Sequence, residues 1–206
     1  MKHLKTMNNL KHILSIGLLL SAVSLYAMVE TGSLAPGFTL LDSAGTEHNL
    51  SDFKGKYVVL EWTNHQCPFV KKFYVNGDMQ SLQRKMTEKG VVWLQILSSA
   101  EGKQGHLTAS EAEELRTKQE VGSTALLLDA AGVVGHEYGA RTTPHMFLVD
   151  PKGVVIYQGA IDSIKSTDSA DIAGATNYVE LAYENAVAGK PVDPATTTPY
   201  GCSVKY

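Results

Sequence analysis

One cysteine follows an apolar stretch and a short polar turn, and a proline comes directly after it, in the segment YVVLEWTNHQCPFV. The stretch from Val58 to Trp62 is branched and apolar, which predicts a buried strand. Proline is favoured at the first position of a helix because it has no N–H to leave unsatisfied there. The segment therefore predicts a helix that begins at Pro68, with Cys67 as its N-cap and the sulfur directed at free backbone N–H groups. A helix N-terminus stabilises a thiolate, so we expect Cys67 to be reactive.

The composition is that of one globular domain. The chain has 206 residues, of which 44% are hydrophobic, and a formal net charge of -3. This is enough apolar material for a substantial core. The charge shows no basic surplus for nucleic acid and no acidic run typical of a disordered tail, so we expect no nucleic-acid partner. The second of the two cysteines, Cys202, lies near the far end of the sequence.

The N-terminal segment has the layout of a secretory signal peptide. Three lysines, at positions 2, 5 and 11, precede an apolar run at 13–23, and small residues follow it up to Ala27. We expect residues 1–27 to be a signal peptide, with cleavage after Ser24 as a second possibility and an uncleaved membrane anchor as the alternative. Export to the periplasm or outside the cell would place the mature chain, without a stable membrane insertion, where a disulfide bond is chemically plausible.

Strand and helix patterns alternate along the rest of the chain, which predicts an α/β fold with a central sheet covered on both faces. The predicted elements are, in chain order, a hairpin at 38–50, a strand at 58–62, a helix at 68–89 with a break near Gly77, a strand at 91–97, a helix that opens with a capping box of Ser110 and Glu113, a strand at 125–129, a helical turn at 132–138, a hairpin at 145–158 and a helix at 177–188. We expect coil from Asp193 to Tyr206.

Four pieces of sequence, in this order and spacing, resemble the thioredoxin-fold redoxin superfamily, which holds peroxiredoxins and exported thiol-disulfide oxidoreductases. They are the segments 34–40, 50–56, 57–70 and 142–150. The chain is most similar to a peroxiredoxin-like branch, whose members also end in a tail like GCSVKY at 201–206. The resemblance implies a thioredoxin-like α/β fold: a central mixed β-sheet flanked by helices, with an N-terminal β-hairpin and a C-terminal tail. It gives a redoxin domain at 28–192 and a tail at 193–206 that carries Cys202.

The resemblance places Cys67 at the first, nucleophilic cysteine of the thioredoxin Cys-x-x-Cys pair and Val70 at the second. Because a lone cysteine cannot close a disulfide, a resolving thiol has to come from elsewhere. Cys202 is the candidate within the chain, and an external thiol is the other possibility. A Cys67–Cys202 bond that serves only as a structural staple is the alternative to redox cycling.

The same resemblance suggests three further groups. Pro144 takes the place of the family's cis-proline, and the backbone of Thr143 would position an extended substrate segment; an ordinary strand-entry proline is the alternative. Glu61 takes the place of a buried carboxylate that accepts a proton during exchange, with a salt-bridged edge residue as the alternative.

Two histidines lie close in sequence to these groups. His65 is two residues before Cys67, and His145 follows Pro144. An imidazolium at His65 would lower the pKa of the thiol. His65, Cys67 and His145 would alternatively suit copper or zinc, and two solvated or capping histidines are the third possibility.

We therefore predict an exported thiol-disulfide oxidoreductase that needs no cofactor and acts on a thiol or disulfide of a protein or small molecule. Cys67 is the nucleophile, Cys202 or an external thiol resolves the adduct, and Glu61 and His65 handle protons. Three alternatives stay open: a peroxiredoxin-like thiol peroxidase with an antioxidant role, a copper-binding protein of the same fold, and a non-catalytic module. The peroxidase set is incomplete, because Thr63 lies four rather than three residues before Cys67 and Arg141 is offset from the family's arginine.

Overall fold

The computed structural model describes residues 28–206. The predicted signal peptide at 1–27 lies outside the described residues. Among the residues that are described, no helix is both long and apolar enough to cross a membrane.

Five of the nine strands in residues 28–206 form a central mixed sheet, as the sequence predicted. The strands are, in chain order, β1 (Thr39–Leu41), β2 (Glu47–Asn49), β3 (Val58–Trp62), β4 (Val92–Leu97), β5 (Ala125–Leu128), β6 (Thr142–Thr143), β7 (His145–Val149), β8 (Val155–Gly159) and β9 (Cys202–Ser203). The sheet order is β5-β4-β3-β7-β8. Strands β3, β4 and β5 are parallel, whereas β7 and β8 run antiparallel to their neighbours. The antiparallel pair of β1 and β2 is the expected N-terminal hairpin.

Five α-helices flank the sheet: α1 (Pro68–Tyr74), α2 (Asp78–Glu88), α3 (Ala109–Lys118), α4 (Val133–Tyr138) and α5 (Tyr178–Val187). The predicted break between α1 and α2 is present, because Gly77 adopts a φ of 82°, which only glycine reaches without strain. The capping box of α3 was predicted two residues too late. Thr108 rather than Ser110 is its N-cap, and Glu111 is the reciprocal partner.

Strand β3 carries two core layers because successive side chains point to opposite faces of the sheet. Leu60 and Trp62 face a layer that contains Tyr138 of α4. Val59 faces the layer formed with α1, α2 and α5, which includes Trp93 and Cys67. Both tryptophans are fully buried, as expected for core residues. Because β3 is the central strand of the sheet, the turn that carries Cys67 begins in the middle of the molecule.

The C-terminal tail differs from the predicted coil. Its residues Cys202 and Ser203 form β9, which pairs antiparallel with β6. Two residues are too few to give a recognisable strand pattern. The free hydrogen-bonding edge of β6, which no local sequence signal in the tail reveals, provides the reason for the pairing.

Leu60→Ala should lower the free energy of unfolding by about 2–5 kcal/mol, because the side chain is fully buried and its removal leaves a cavity. Leu41→Ala is the matched control. Leu41 is 54% exposed, and its truncation should cost at most about 0.5 kcal/mol. Urea denaturation of the reduced proteins measures both, and equal losses would contradict the described core.

Candidate functional site

Cys67 is placed by the turn that joins β3 to α1. The backbone N–H of Cys67 donates to the carbonyl of Asn64 at 3.0 Å, and the Asn64 side chain accepts from the N–H of Gln66 at 2.9 Å. Cys67 is the N-cap residue, with an extended backbone, and Pro68 opens the helix. This arrangement agrees with the predicted strand, turn and helix.

The direction of the sulfur differs from the prediction. The Cys67 side chain makes no capping hydrogen bond to α1. Its Sγ lies 3.1 Å from the carbonyl oxygen of Thr143 and 2.6 Å from the Sγ of Cys202. The thiol is fully buried. Its immediate surroundings therefore come from β6 and β9 rather than from the first turn of the helix.

Cys202 reaches this position through backbone pairing. In the register of the two strands, Cys202 lies opposite Thr143, and Ser203 lies opposite Thr142. Both cysteines are free thiols, and Cys202 is partly exposed. A disulfide bond is about 2.05 Å long, so a small closing movement suffices to form one.

The two thiols differ in pKa. Burial opposes ionisation of Cys67, but hydrogen bonds from the thiol and the backbone N–H of Cys202 outweigh it and lower the pKa of Cys67 below its ordinary value. Burial, together with the hydrogen bond to Cys67 and its negative charge, raises the pKa of Cys202 to about 11. Of the two thiols, Cys67 therefore ionises more readily, and Cys202 is the one that donates a hydrogen bond to it.

The Thr143–Pro144 peptide bond is cis and lies directly before β7. Thr143 contacts Cys67 through its carbonyl and Cys202 through strand pairing. The hydroxyl of Thr143 is buried and has no hydrogen-bond partner. Thr143 and Pro144 are thus brought together with both cysteines.

Glu61 is buried in a polar cluster on one face of the sheet and makes no salt bridge with any of residues 28–206. Its carboxylate accepts hydrogen bonds from Tyr74 at 2.7 Å, Trp93 at 2.8 Å and Gln83 at 3.1 Å. Burial raises the pKa of Glu61, and these hydrogen bonds only partly oppose the rise. Among residues 28–206, no hydrogen bond joins Glu61 to Cys67.

Among residues 28–206, no hydrogen bond links His65 or His145 to either cysteine. Burial, followed by the charge of Lys71, lowers the pKa of His65, which disfavours the imidazolium that was expected to tune Cys67. Burial lowers the pKa of His145 to about 3, and its ring packs against Phe147 with centroids 4.5 Å apart. Side chains at successive positions of β7 point to opposite faces, so His145 and Phe147 share the face away from Cys67.

The alternative metal site is not formed by these side chains. Within the described part of the chain, no three or more His, Cys, Asp and Glu side chains are grouped so that they could hold a metal ion. His65, Cys67 and His145 therefore do not converge as the copper or zinc alternative required.

A buried ionic cluster lies beside the tail and was not predicted from the sequence. Lys72 is 1% exposed, and its ammonium donates to Asp162 and to the carbonyl of Ile164, both at 2.9 Å. The hydroxyl of Tyr200 donates to the same Asp162 carboxylate, and its ring packs edge-on against Phe69. Because an isolated lysine, aspartate and tyrosine carry no shared spacing, no sequence signal could have linked them.

Gly201 also escaped notice, although it controls how closely the tail approaches β6. Its φ is 142°, and a Cβ atom there would lie 2.1 Å from the carbonyl oxygen of Thr143. Only glycine therefore permits the observed pairing. A glycine directly before a cysteine in a tail was the available signal.

Residues 31–158 match the AhpC/TSA family. The thiol-disulfide oxidoreductase ResA of Bacillus thuringiensis subsp. konkukian is 30% identical over 138 residues, which are 63% of this chain and 69% of that protein.

Two solved structures share the fold over a larger part of the chain. An uncharacterized conserved protein from Geobacillus kaustophilus superposes with a TM-score of 0.75 at 23% identity, covering 87% of this chain and 93% of that one. A hypothetical protein from Sinorhizobium meliloti superposes with a TM-score of 0.73 at 22% identity, covering 87% and 96%.

Gly201→Ala should slow formation of a Cys67–Cys202 disulfide, because the added methyl group collides with Thr143 and lifts β9. We expect the rate of disulfide formation to fall roughly tenfold or more, because strain of about 1–3 kcal/mol opposes the pairing of β9 with β6. The measurement is the rate of thiol loss with a diamide oxidant. Gly174→Ala is the matched control, since a Cβ at Gly174 meets open space; an unchanged rate in Gly201→Ala would contradict the described pairing.

Stability should fall as the pH rises above 4.5, the ordinary pKa of Glu61. The native state keeps the Glu61 proton that the unfolded chain has released, so folding loses its advantage as pH approaches the raised native pKa. Glu61→Gln should remove this part of the slope in urea denaturation at pH values above 4.5. The exposed control Glu88→Gln should keep the wild-type slope, and a matching slope in Glu61→Gln would show that Glu61 ionises normally.

Proposed function

The chain belongs to the AhpC/TSA family, as the redoxin resemblance of its sequence predicted, and we propose that it is an exported thiol-disulfide oxidoreductase with Cys67 as nucleophile and Cys202 as resolving thiol. The observation that carries this proposal is the contact between the two sulfurs, 2.6 Å apart and with pKa values shifted in opposite directions. The sequence similarity to ResA, a thiol-disulfide oxidoreductase, supports the same reaction class.

The proposed reaction has two exchange steps. The Cys67 thiolate attacks one sulfur of a substrate disulfide, forms a mixed disulfide and expels the other sulfur as a thiolate, which takes a proton from water. Cys202 then loses its proton and attacks the Cys67 sulfur, and the second substrate thiolate leaves. The substrate gains two electrons, the protein is left with a Cys67–Cys202 disulfide, and an external dithiol or pair of thiols reverses the exchange.

The shifted pKa values suit this order of events. A thiolate is the nucleophile in disulfide exchange, and the lowered pKa of Cys67 in the closed site favours loss of the Cys67 proton ahead of the first attack. Cys202 stays protonated while it donates to Cys67. When Cys67 forms the mixed disulfide, it loses its negative charge. Because that charge is one cause of the raised pKa of Cys202, the pKa of Cys202 falls at this point.

Thr143 and Pro144 are proposed to position the substrate, because the carbonyl of Thr143 contacts the sulfur of Cys67 and Pro144 directly follows it. For Glu61 we propose an electrostatic role. Glu61 lies on the face of β3 that packs on α1 and α2, the layer that contains Cys67. A carboxyl group that keeps its proton there adds no negative charge to oppose the thiolate.

A thiol peroxidase has less support from the same geometry. Among the described residues, no arginine forms a hydrogen bond with Cys67. Arg141, the offset candidate, is exposed and directs its guanidinium to Met28, with 3.2 Å between Nη2 and Sδ. Peroxide activation would therefore lack its usual cation, although oxidation of Cys67 to a sulfenic acid remains the signature to look for.

We also propose export, with residues 1–27 as the signal peptide, 28–192 as the redoxin domain and 193–206 as the tail. The layout of charges and apolar residues in the first 27 positions supports the signal. An oxidising compartment suits a protein whose two cysteines lie in contact.

Cys202→Ser should trap the mixed disulfide on Cys67, because the resolving sulfur is gone while a hydroxyl still donates at its place. Cys67→Ser should form no adduct at position 67 and only a slow one at Cys202, whose raised pKa disfavours the thiolate. Stopped-flow reaction of the reduced proteins with a small aromatic disulfide, followed by peptide mass spectrometry, measures both outcomes. Adduct formation undiminished in Cys67→Ser, or a Cys67 pKa of about 8.5 or higher, would contradict the proposed function.

A further inference from the structure

We propose that residues 199–206 form a displaceable strap over Cys67, which occupies the part of β6 where the redoxin resemblance places an extended substrate segment, and that a partner protein with a Gly-Cys segment reaches Cys67 only when the strap has left. The inference rests on the proposed function and adds the class of partner and the event that admits it.

The strap blocks the approach of an external disulfide to the Cys67 sulfur. The Cys67 sulfur is fully buried, and Cys202 and Thr143 contact it. Attack on a disulfide needs the three sulfurs roughly in line, so an external disulfide cannot approach Cys67 while Cys202 occupies the approach. The strap has to leave before the first exchange step.

The site that the strap fills has the shape of a strand that pairs with β6. Cys202 lies opposite Thr143 in an antiparallel register, and the N–H of Val204 donates to the carbonyl of Arg141 at 3.1 Å. The strap is thus an internal copy of a strand-like ligand whose cysteine meets Cys67. An incoming segment that uses the same backbone groups of β6 gains the same hydrogen bonds and delivers its sulfur to the same place.

The strap also indicates which segments fit. A Cβ at Gly201 would lie 2.1 Å from the Thr143 carbonyl oxygen. A segment in the same register therefore needs glycine directly before its cysteine. The structure in this way points to a protein partner with an extended Gly-Cys segment.

Tyrosine hydroxyl groups hold the strap near each of its two ends. Residues 201–206 are only partly buried. Tyr200 is the buried anchor, with its hydroxyl donating to Asp162, which also pairs with Lys72. At the far end, the Tyr206 hydroxyl donates to the carbonyl of Ala140 at 2.9 Å. A strap that is only partly buried and is held by hydrogen bonds along its length is suited to reversible release.

Binding of the partner and return of the strap exclude each other, because both use β6. The partner's segment holds the site during the first exchange, and Cys202 regains it only when the segment withdraws. The bonds made and broken are those of the two exchange steps described above, and no further reactant is needed.

The test uses the full chain with Cys202→Ser, so that only the first exchange step occurs. Tyr200→Phe removes the hydrogen bond to the Asp162 carboxylate and should raise the rate constant of Cys67 with disulfide probes about tenfold, as expected for a hydrogen bond to a charged group. Gly201→Ala loosens the strap by a separate route and should also accelerate the reaction. The matched control is Tyr57→Phe, at the opposite end of β3, where Tyr57 packs on Tyr183; it should leave the rate unchanged.

Two probes distinguish access from docking. One is a small aromatic disulfide, and the other is an extended Gly-Cys peptide carried as a mixed disulfide with thionitrobenzoate. Methylation of the peptide nitrogen two residues after the cysteine, which corresponds to Val204, should slow the peptide reaction several-fold by removing one hydrogen bond.

Each outcome has a defined consequence. Equal rates in Tyr200→Phe, Gly201→Ala and their parent would overturn the strap as a barrier. Equal rates for the methylated and unmethylated peptides would overturn docking along β6 and leave the proposed oxidoreductase intact. Failure of Cys67 to react with either probe in every variant would instead refute the proposed function.

Discussion

The site depends on one long-range backbone contact, the pairing of β9 with β6. It brings Cys202 opposite Thr143 and thereby against Cys67, which lies 135 positions earlier in the chain. Closing so long a loop costs conformational entropy before any bond is gained. The domain supplies the compensation in advance, since β7 fixes β6 at the end of the sheet, and Asp162 and Lys72 hold the Tyr200 anchor two residues before the sulfur.

The core places opposite demands on its ionisable groups. Lys72 is fully enclosed and is satisfied by a carboxylate and a carbonyl oxygen. Glu61 is enclosed by neutral donors and no cation, so burial raises its pKa. A lone buried charge would be costly in either place. One group is therefore paired and the other favours its neutral form.

The central architecture was predictable from the sequence because its signals are local. The apolar run at 58–62, the Cys67-Pro68 helix start and the Gly77 break each arise from neighbouring residues. The tail was predicted as coil because β9 exists only through its partner. The expectation for His65 and His145 failed for a related reason: closeness in sequence says nothing about the face of the sheet, and His145 lies on the face opposite Cys67. Burial, which sets the pKa values of both histidines, is likewise a property of the folded chain.

The two tryptophans have unequal surroundings. The indole of Trp93 donates to the Glu61 carboxylate, whereas that of Trp62 donates to the hydroxyl of Ser98. Indole emission responds to a charge at hydrogen-bond distance, and a serine hydroxyl does not titrate in the accessible pH range. The protein thus carries an optical probe inside its own core, since the emission of Trp93 responds to the proton on Glu61.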